Sequence, residues 1–469
     1  MKIKLLVLLS FFSSLVFAQS VSTSEQRKSV SVTIYNMGMG LVRENRTVSL
    51  PKGISVLRYE DVADQIIPQS VRVEAKSGKL TVFEQNYEYD LISNSRLMDK
   101  YIGKEVTIYK YDEATKTEKA VTATLIANND GPVFKVGNEI ALGYPGRISV
   151  PTIPANLYSK PTLNWKLSND SGSDLSLDVS YQTNGMNWSS DYVMVLANDE
   201  KSTGLNCWVT LDNQSGTEFK NSTLQLVAGN VQRRSQQNYH PDQYRSLGKS
   251  VQMDAVSEMA APQFEQENLS EFYLYTLDQP TDIGYRQTKQ VQLFSAQNIN
   301  VTKRFIFENL PMYSGDEKNF NRASVRYDFK NSSDNSLGRP MPKGIVRVYK
   351  ADSKGRQQLL GEDDIDHTPN NEEFKIFTGE AFDVVANGKQ INYENFSIGN
   401  GYRATYEVSL RNRKKEDITI RLYANLGGEW KITKSNQKFE KESQYKAFFD
   451  VPVKADSEIK VTYSVEVSY

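Results

Sequence analysis

The sequence predicts an all-β, multi-domain protein, and three observations carry that expectation. Tyr and Phe are abundant, 26 and 20 of 469 residues, and they fall in Tyr-, Thr- and Val-rich segments that favour strands. Apolar residues recur at every second position in many stretches, the period of a half-buried strand. Short apolar runs return at intervals of roughly a dozen residues with Asn, Gly and Ser turns between, the spacing of an antiparallel sandwich. A chain of 469 residues is too long for one compact core. The division expected is a small β-domain over residues 19–155, a β-sandwich part of immunoglobulin-like type over 156–300, and a second sandwich part over 301–469.

The first eighteen residues read as a signal peptide: Lys2 and Lys4, an apolar run from Leu5 to Val16, and Val16-Phe17-Ala18 before Gln19. That run is too short and too serine-broken to cross a bilayer, and no later stretch is apolar and long enough to do so. Cleavage would take the formal charge from −1 to −3. With Lys+Arg 56 against Asp+Glu 57, the chain has no basic footprint for nucleic acid. Cys207 is the only cysteine, so no disulfide forms within the chain. The compartment expected is the periplasm or cell surface of a bacterium.

Along the chain, Val30, Val32 and Ile34 alternate with polar residues, Asn36 to Gly40 turn, and Leu41 to Leu50 resume a strand. The pair Gly38 and Gly40 lacks the third glycine and the following helix of a phosphate loop. Residues 93–102 form the best helix candidate, with Ser93 or Ser95 to cap it and Gly103 to stop it. From Thr162 the segments LNWKL, LSLDVSYQ, YQTNGMNWSSDYVMVL, LNCWVTLDN and TLQLVAG read as successive strands. Residues 232–268 break the alternation and read as a protruding insertion, partly disordered, with a short helix from Val251 to Met259. The last seventy residues have the strongest alternation. Four runs, from Tyr402, Ile418, Tyr445 and Ile459, read as a meander or half of a sandwich.

In an extended chain Trp188, Ser190, Tyr192, Met194 and Leu196 share one face, mostly large and apolar. Trp188 therefore reads as core. Trp208 falls opposite Leu205, Cys207, Val209 and Leu211, beside Asn206, Thr210 and Asp212. A tryptophan among small polar side chains suits sugar stacking or domain packing, so Trp208, Asn206 and Thr210 are the candidate ligand-binding residues. The densest polar cluster is GEDDIDHTP, where Glu362, Asp363, Asp364, Asp366 and His367 offer oxygen and nitrogen ligands to a divalent cation. Its spacing lacks the glycine and closing glutamate of an EF-hand, and a solvated loop is the competing reading. Histidine is limited to His240 and His367, and no G-x-S-x-G or H-E-x-x-H occurs. No catalytic residue and no cofactor are assigned.

Several segments together carry a family resemblance. They are Tyr181, Gly185, Trp188 and Tyr192 in Y-x-x-x-G-x-x-W-x-x-x-Y, then WVTLDNQSGTEFKNSTLQLVAGNVQR, FYLYTL with TKQVQLF, and LRNRKKEDITIRLYANLGGEWKI. In this order they resemble the exported bacterial proteins grouped as domain of unknown function 4139. VTIYNMGMGLVRENRTVSLPKG and EQNYEYDL resemble the segment that usually precedes that domain. The resemblance implies a secreted, β-rich protein and carries over no activity. A related label in that family, mucoidy inhibition, points to envelope or exopolysaccharide biology.

The functional expectation is a non-catalytic envelope protein that binds a protein or glycan partner, with a role in adhesion or scaffolding. The alternative is a hydrolase of envelope glycans or peptides, working through a carboxylate pair or a cation at Glu362 to His367. A third reading is a structural component that self-associates through strand edges.

Overall fold

The computed structural model describes residues 19–143, 146–154, 156–171, 174–229, 231–232, 264–312, 320–396 and 399–469. The leader, His240 and the helix expected at Val251–Met259 lie outside the described residues. Within them the fold is all-β and multi-domain, with one α-helix and several sheets. No helix among the described residues is long and apolar enough to cross a membrane.

The chain divides into two compact units, and neither is a single stretch of sequence. One comprises residues 1–187, 211–226 and 279–289; the other comprises 188–210, 227–278 and 290–469. The expected consecutive division at 155 and 300 differs from this interleaving, and strand pairing is the reason. Thr162–Asn169 pairs antiparallel with both Gly53–Glu60 and Leu80–Glu88. Leu175–Asn184 pairs with Met39–Val48 and Arg72–Ala75. Strands read as opening a new domain thus complete the sheets of the preceding one.

The first unit is a sandwich. One sheet orders Gln19–Ser22, Gly53–Glu60, Thr162–Asn169 and Leu80–Glu88. The other runs from residues 219–226 through Arg27–Tyr35, Met39–Val48 and Leu175–Asn184 to Arg72–Ala75. Alternation sends Val32, Ile34, Val42, Leu57, Leu163, Trp165, Leu177 and Val179 inside, all essentially inaccessible. Trp165 packs against Tyr59, the ring centroids 5.2 Å apart and tilted by 50°, and donates to Gln85 Oε1 at 2.8 Å. Between Leu80–Glu88 and Thr162 the chain builds a separate five-stranded sheet over residues 105–149. Helix Asn94–Lys100 packs on it through Met98, and Tyr101 just after the helix joins Val106, Ile108, Leu125 and Phe134 of the sheet in one core. Ser93 caps that helix by accepting from Arg96 N, and Gly103, at φ +82°, follows its end.

The second unit holds a five-stranded sheet ordered Gln287–Asn300, Ser202–Asn213, Met186–Leu196, Gly344–Ala351, Gln357–Ile365, of which residues 290–300, 202–210 and 188–196 belong to this unit. It also holds a nine-stranded sheet from residue 302 onward. The four C-terminal runs are strands, Gly401–Asn412, Ile418–Asn425, Lys446–Val453 and Ser457–Ser468. Their order is not that of a meander. Ser457–Ser468 returns to pair with Gly401–Asn412, while Ile418–Asn425 pairs with Lys446–Val453 and lies parallel to Thr302–Phe307. The inward faces of both pairs join one core through Val408, Leu410, Ile420, Phe449, Val461 and Val465. The end of the expected insertion is also ordered differently: Phe264–Leu269 is a strand paired with Phe272–Leu277. Only Phe264 of that strand is buried, so it carries no alternation for sequence reading to detect.

Strand ends share one device, a buried asparagine that closes a loop through both ends of its amide. Asn213 donates to the carbonyls of Thr217 and Gly284 and accepts from Ser215 N and Oγ. Asn169 donates to Leu50 O and accepts from Ser171 N and Oγ. Asn331 donates to Arg339 O and Pro369 O and accepts from Gly338 N. Asn412 donates to Glu416 O and Lys454 O and accepts from Lys414 N. Each side chain supplies the partners that a turning backbone cannot find in a ladder.

Candidate functional site

The stretch YQTNGMNWSSDYVMVL is frame rather than contact surface. Tyr181, Met186, Trp188, Tyr192, Met194 and Leu196 are buried. Trp188 Nε1 donates to Val227 O at 3.3 Å, and the Tyr192 hydroxyl donates to Pro342 O at 2.6 Å. The Asn184-Gly185 turn is a docking point for the chain at Asp64 and Gln65. Asn184 N donates to Gln65 O at 3.0 Å, Asp64 N to Ser215 O at 2.9 Å, and Gln214 N to Gly185 O at 2.6 Å. Gly185, at φ +76°, is required twice: its backbone is left-handed, and a Cβ would stand 2.8 Å from Gln214 O.

The strand Ser202–Asn213 alternates without a break. Thr203, Leu205, Cys207, Val209 and Leu211 are buried, while Asn206, Trp208, Thr210 and Asp212 are half-buried on the other face. Cys207 is inaccessible, and burial pushes its thiol far above the ordinary cysteine range, the condition of an inert thiol. The face bearing Trp208 carries a polar rib across all five strands. Gln290 Nε2 donates to Thr210 Oγ1 at 3.1 Å, and Thr210 donates to Asp191 Oδ2 at 2.9 Å. Arg347 bridges the remaining strands, reaching Asp191 Oδ1 and Glu362 Oε1, both at 3.0 Å. Val193, Val195 and Tyr349 share this face, half-buried, with Ile345 and Leu359, the cross-strand partner of Tyr349, exposed. Thr210 and Glu362, assigned by sequence to different sites, belong to one rib. Gln290, Asp191 and Arg347 escaped the sequence reading because the rib exists only once five separate strands are in register.

The acidic segment is divided rather than gathered. Gly361 to Ile365 continue the strand Gln357–Ile365, so alternation puts Glu362 and Asp364 on the face opposite Asp363. Asp363 accepts from Phe377 N at 2.7 Å. Asp366 accepts from His367 N, and His367 Nδ1 accepts from Lys343 N at 3.2 Å. Burial holds the His367 imidazole below its ordinary value, which favours the neutral ring in that role. Among the described residues no three His, Cys, Asp or Glu side chains come together as a metal site. Glu362, Asp363 and Asp364 lie within the strand, and Asp366 and His367 follow its end, with their side chains divided among different neighbours.

A second charged assembly lies in the first unit, on the strand Met39–Val48. Glu44 and Arg46 point inward and are fully buried; Glu44 pairs with Arg27 at 2.6 Å and with Arg46 at 2.8 Å. The Arg46 guanidinium lies 3.8 Å over the Tyr59 ring and donates to Glu60 O at 2.7 Å. Arg43 and Asn45 point outward, to Asp178.

Comparison with protein-family models and with curated proteins gives no match for this chain.

Proposed function

We propose that this chain is an exported, non-catalytic saccharide-binding protein of the cell envelope, built on immunoglobulin-like sandwich parts. Its contact surface is the outer face of the five-stranded sheet around Trp208. The observation that carries this reading is the half-buried indole on the outer face beside Asn206 and Thr210, next to a rib of hydrogen-bonding side chains fixed at both ends of the sheet. A sugar ring offers an apolar face and a hydroxyl rim. The indole meets the first, and Asn206, Thr210 and the rib meet the second. The acidic groups of the rib, Asp191 and Glu362, are each engaged by Arg347, which suits them to hold geometry rather than to exchange protons. The leader-like first eighteen residues and the resemblance to exported bacterial proteins agree with an envelope location.

The test is affinity electrophoresis of the purified protein in gels containing neutral or acidic polysaccharides, beside Trp208→Ala. Retardation of the wild type by one polymer is expected. Losing a central aromatic contact costs about 2 kcal/mol, roughly thirtyfold in affinity. A wild type that no polymer retards, or a Trp208→Ala variant retarded as strongly as wild type, would end this reading.

A further inference from the structure

The outer face of the first unit's second sheet carries an open pocket of about 240 Å³, lined by Ser29, Ser31, Arg43, Asn45, Lys76, Asp178 and Thr223, with Val30 and Glu44 at its floor. The lining is polar, and its charges do not cancel. Asp178 is the only lining carboxylate that faces outward, and it is only 15% exposed. Its oxygens are already taken: Arg43 Nη2 at 2.9 Å and Lys76 Nζ at 3.4 Å reach it, and Asn45 Nδ2 donates to it at 2.9 Å. These contacts hold the Asp178 carboxyl below its ordinary range, against the upward pull of burial. Arg43 and Lys76 remain 68% and 57% exposed. Arg43 thus spends one donor on Asp178 and keeps the rest of its fork available.

The interior face of the same strand adds to this field. Glu44 turns inward and is shared by Arg27 and Arg46, so that pair outweighs it by one charge. Arg27 Nη2 and Arg46 Nε are buried with no hydrogen-bond partner. Among the ion-paired groups of this patch, Arg27, Arg43, Arg46 and Lys76 stand against Glu44 and Asp178, and the neighbouring strand adds one exposed cation and one exposed carboxylate, Arg72 and Glu74, which leave that excess unchanged. A low-dielectric wall beneath an exposed pocket strengthens that excess toward the pocket. The pocket is smaller than a whole-ligand site, so it suits one charged group of a larger molecule, with Ser29, Ser31 and Thr223 as neutral hydroxyl partners.

We infer that this pocket binds the carboxylate of an acidic sugar residue, with Arg43 and Lys76 as its cationic contacts. The inference rests on the saccharide-binding reading and narrows it to uronate-containing polymers. Arg43 supplies the planar fork that matches a carboxylate. Lys76 supplies a point charge from the opposite side of Asp178, and the serine and threonine hydroxyls take the ring oxygens.

The experiment measures binding of the full chain to polygalacturonate and hyaluronate, each beside its methyl ester, at two salt concentrations. At least one acid form is expected to bind tenfold or more tighter than its ester, and to lose most of that preference at high salt. The double variant Arg43→Ala, Lys76→Ala should abolish the preference. Because it also strips Asp178 of its partners, Asp178→Asn is measured in parallel, and it should tighten acid binding several-fold by removing the competing carboxylate. Trp208→Ala should weaken acid and ester alike. Equal binding of acid and ester, or an acid preference that survives in the double variant, overturns the inference and leaves the saccharide reading standing. Failure of every polymer, charged and neutral, overturns both.

Discussion

Replacing Asn213 by alanine removes four hydrogen bonds at once. Its Nδ2 donates to Thr217 O at 2.9 Å and to Gly284 O at 3.0 Å, and its Oδ1 accepts from Ser215 N at 3.1 Å and Ser215 Oγ at 2.7 Å. Asn213 is 1% exposed and Ser215 is inaccessible, so water cannot take over these partners without opening the turn. At about 1 kcal/mol for each bond, the expected loss is about 3–4 kcal/mol. Urea unfolding followed by circular dichroism and fluorescence reads this directly. With a slope of about 2–3 kcal/mol per molar, the midpoint of the affected unit should fall by roughly 1–2 M. Gln214→Ala is the control. Its exposed side chain makes one bond, to Asp212 at 3.0 Å, and should move stability by no more than about 0.5 kcal/mol. A loss below about 1 kcal/mol for Asn213→Ala, or equal losses in the two variants, would refute the argument that the amide closes this loop.

Three further outcomes are expected. Gly216→Ala places a methyl 1.9 Å from Asp64 Cγ at φ +93° and should cost about 1–3 kcal/mol, read as a lowered melting temperature. Truncating Asp64 in the same chain should return only part of it, since the backbone strain remains. For Glu200, burial raises the carboxyl, but hydrogen bonds from Lys303 and Lys350 more than offset it and hold it below the ordinary 4.5. The charged form is thus favoured by folding. The stability gap between wild type and Glu200→Gln should be full above pH 4.5 and close as pH falls through the lowered folded value. Denaturation midpoints at several pH values check this, and a gap that widens in acid would contradict it. Finally, Cys207 should resist a maleimide in the native protein and react fully in denaturant; labelling of the folded chain within minutes would show the strand register to be wrong.

Much of this architecture was legible locally. The two-residue period at Leu205–Leu211 fixes which side of the strand is buried, and it separates Trp208 from Cys207 correctly. Ser93 and Gly103 bracket helix Asn94–Lys100 because capping chemistry is local. What escaped was either non-local or locally contradictory. The pairing of Thr162–Asn169 with strands a hundred residues earlier leaves no trace in its own composition. The segment Gly361–Ile365 is rich in aspartate, a residue depleted from strands, and its strand state comes from pairing with Gly344–Ala351. The pocket over Arg43 needs Lys76 and Asp178 carried in from other strands, and no spacing in the chain announces it.

The buried asparagines that close the strand ends bear on the choice of expression host. Asn169-Asp170-Ser171, Asn213-Gln214-Ser215 and Asn331-Ser332-Ser333 each spell the acceptor triplet for N-linked glycosylation. In each, the nitrogen that would carry the oligosaccharide points into the protein and donates to a carbonyl. A eukaryotic secretory host would modify these sites on the nascent chain, before the turns close, and the attached sugar would then block closure. Asn187 and Asn221 also stand in such triplets but are exposed, and would tolerate the same modification. Ser171→Ala, Ser215→Ala and Ser333→Ala together would erase all three buried acceptors, the first two each giving up one hydrogen bond to the asparagine, so a secreted preparation from yeast or mammalian cells should improve with the triple change and a bacterial one should not.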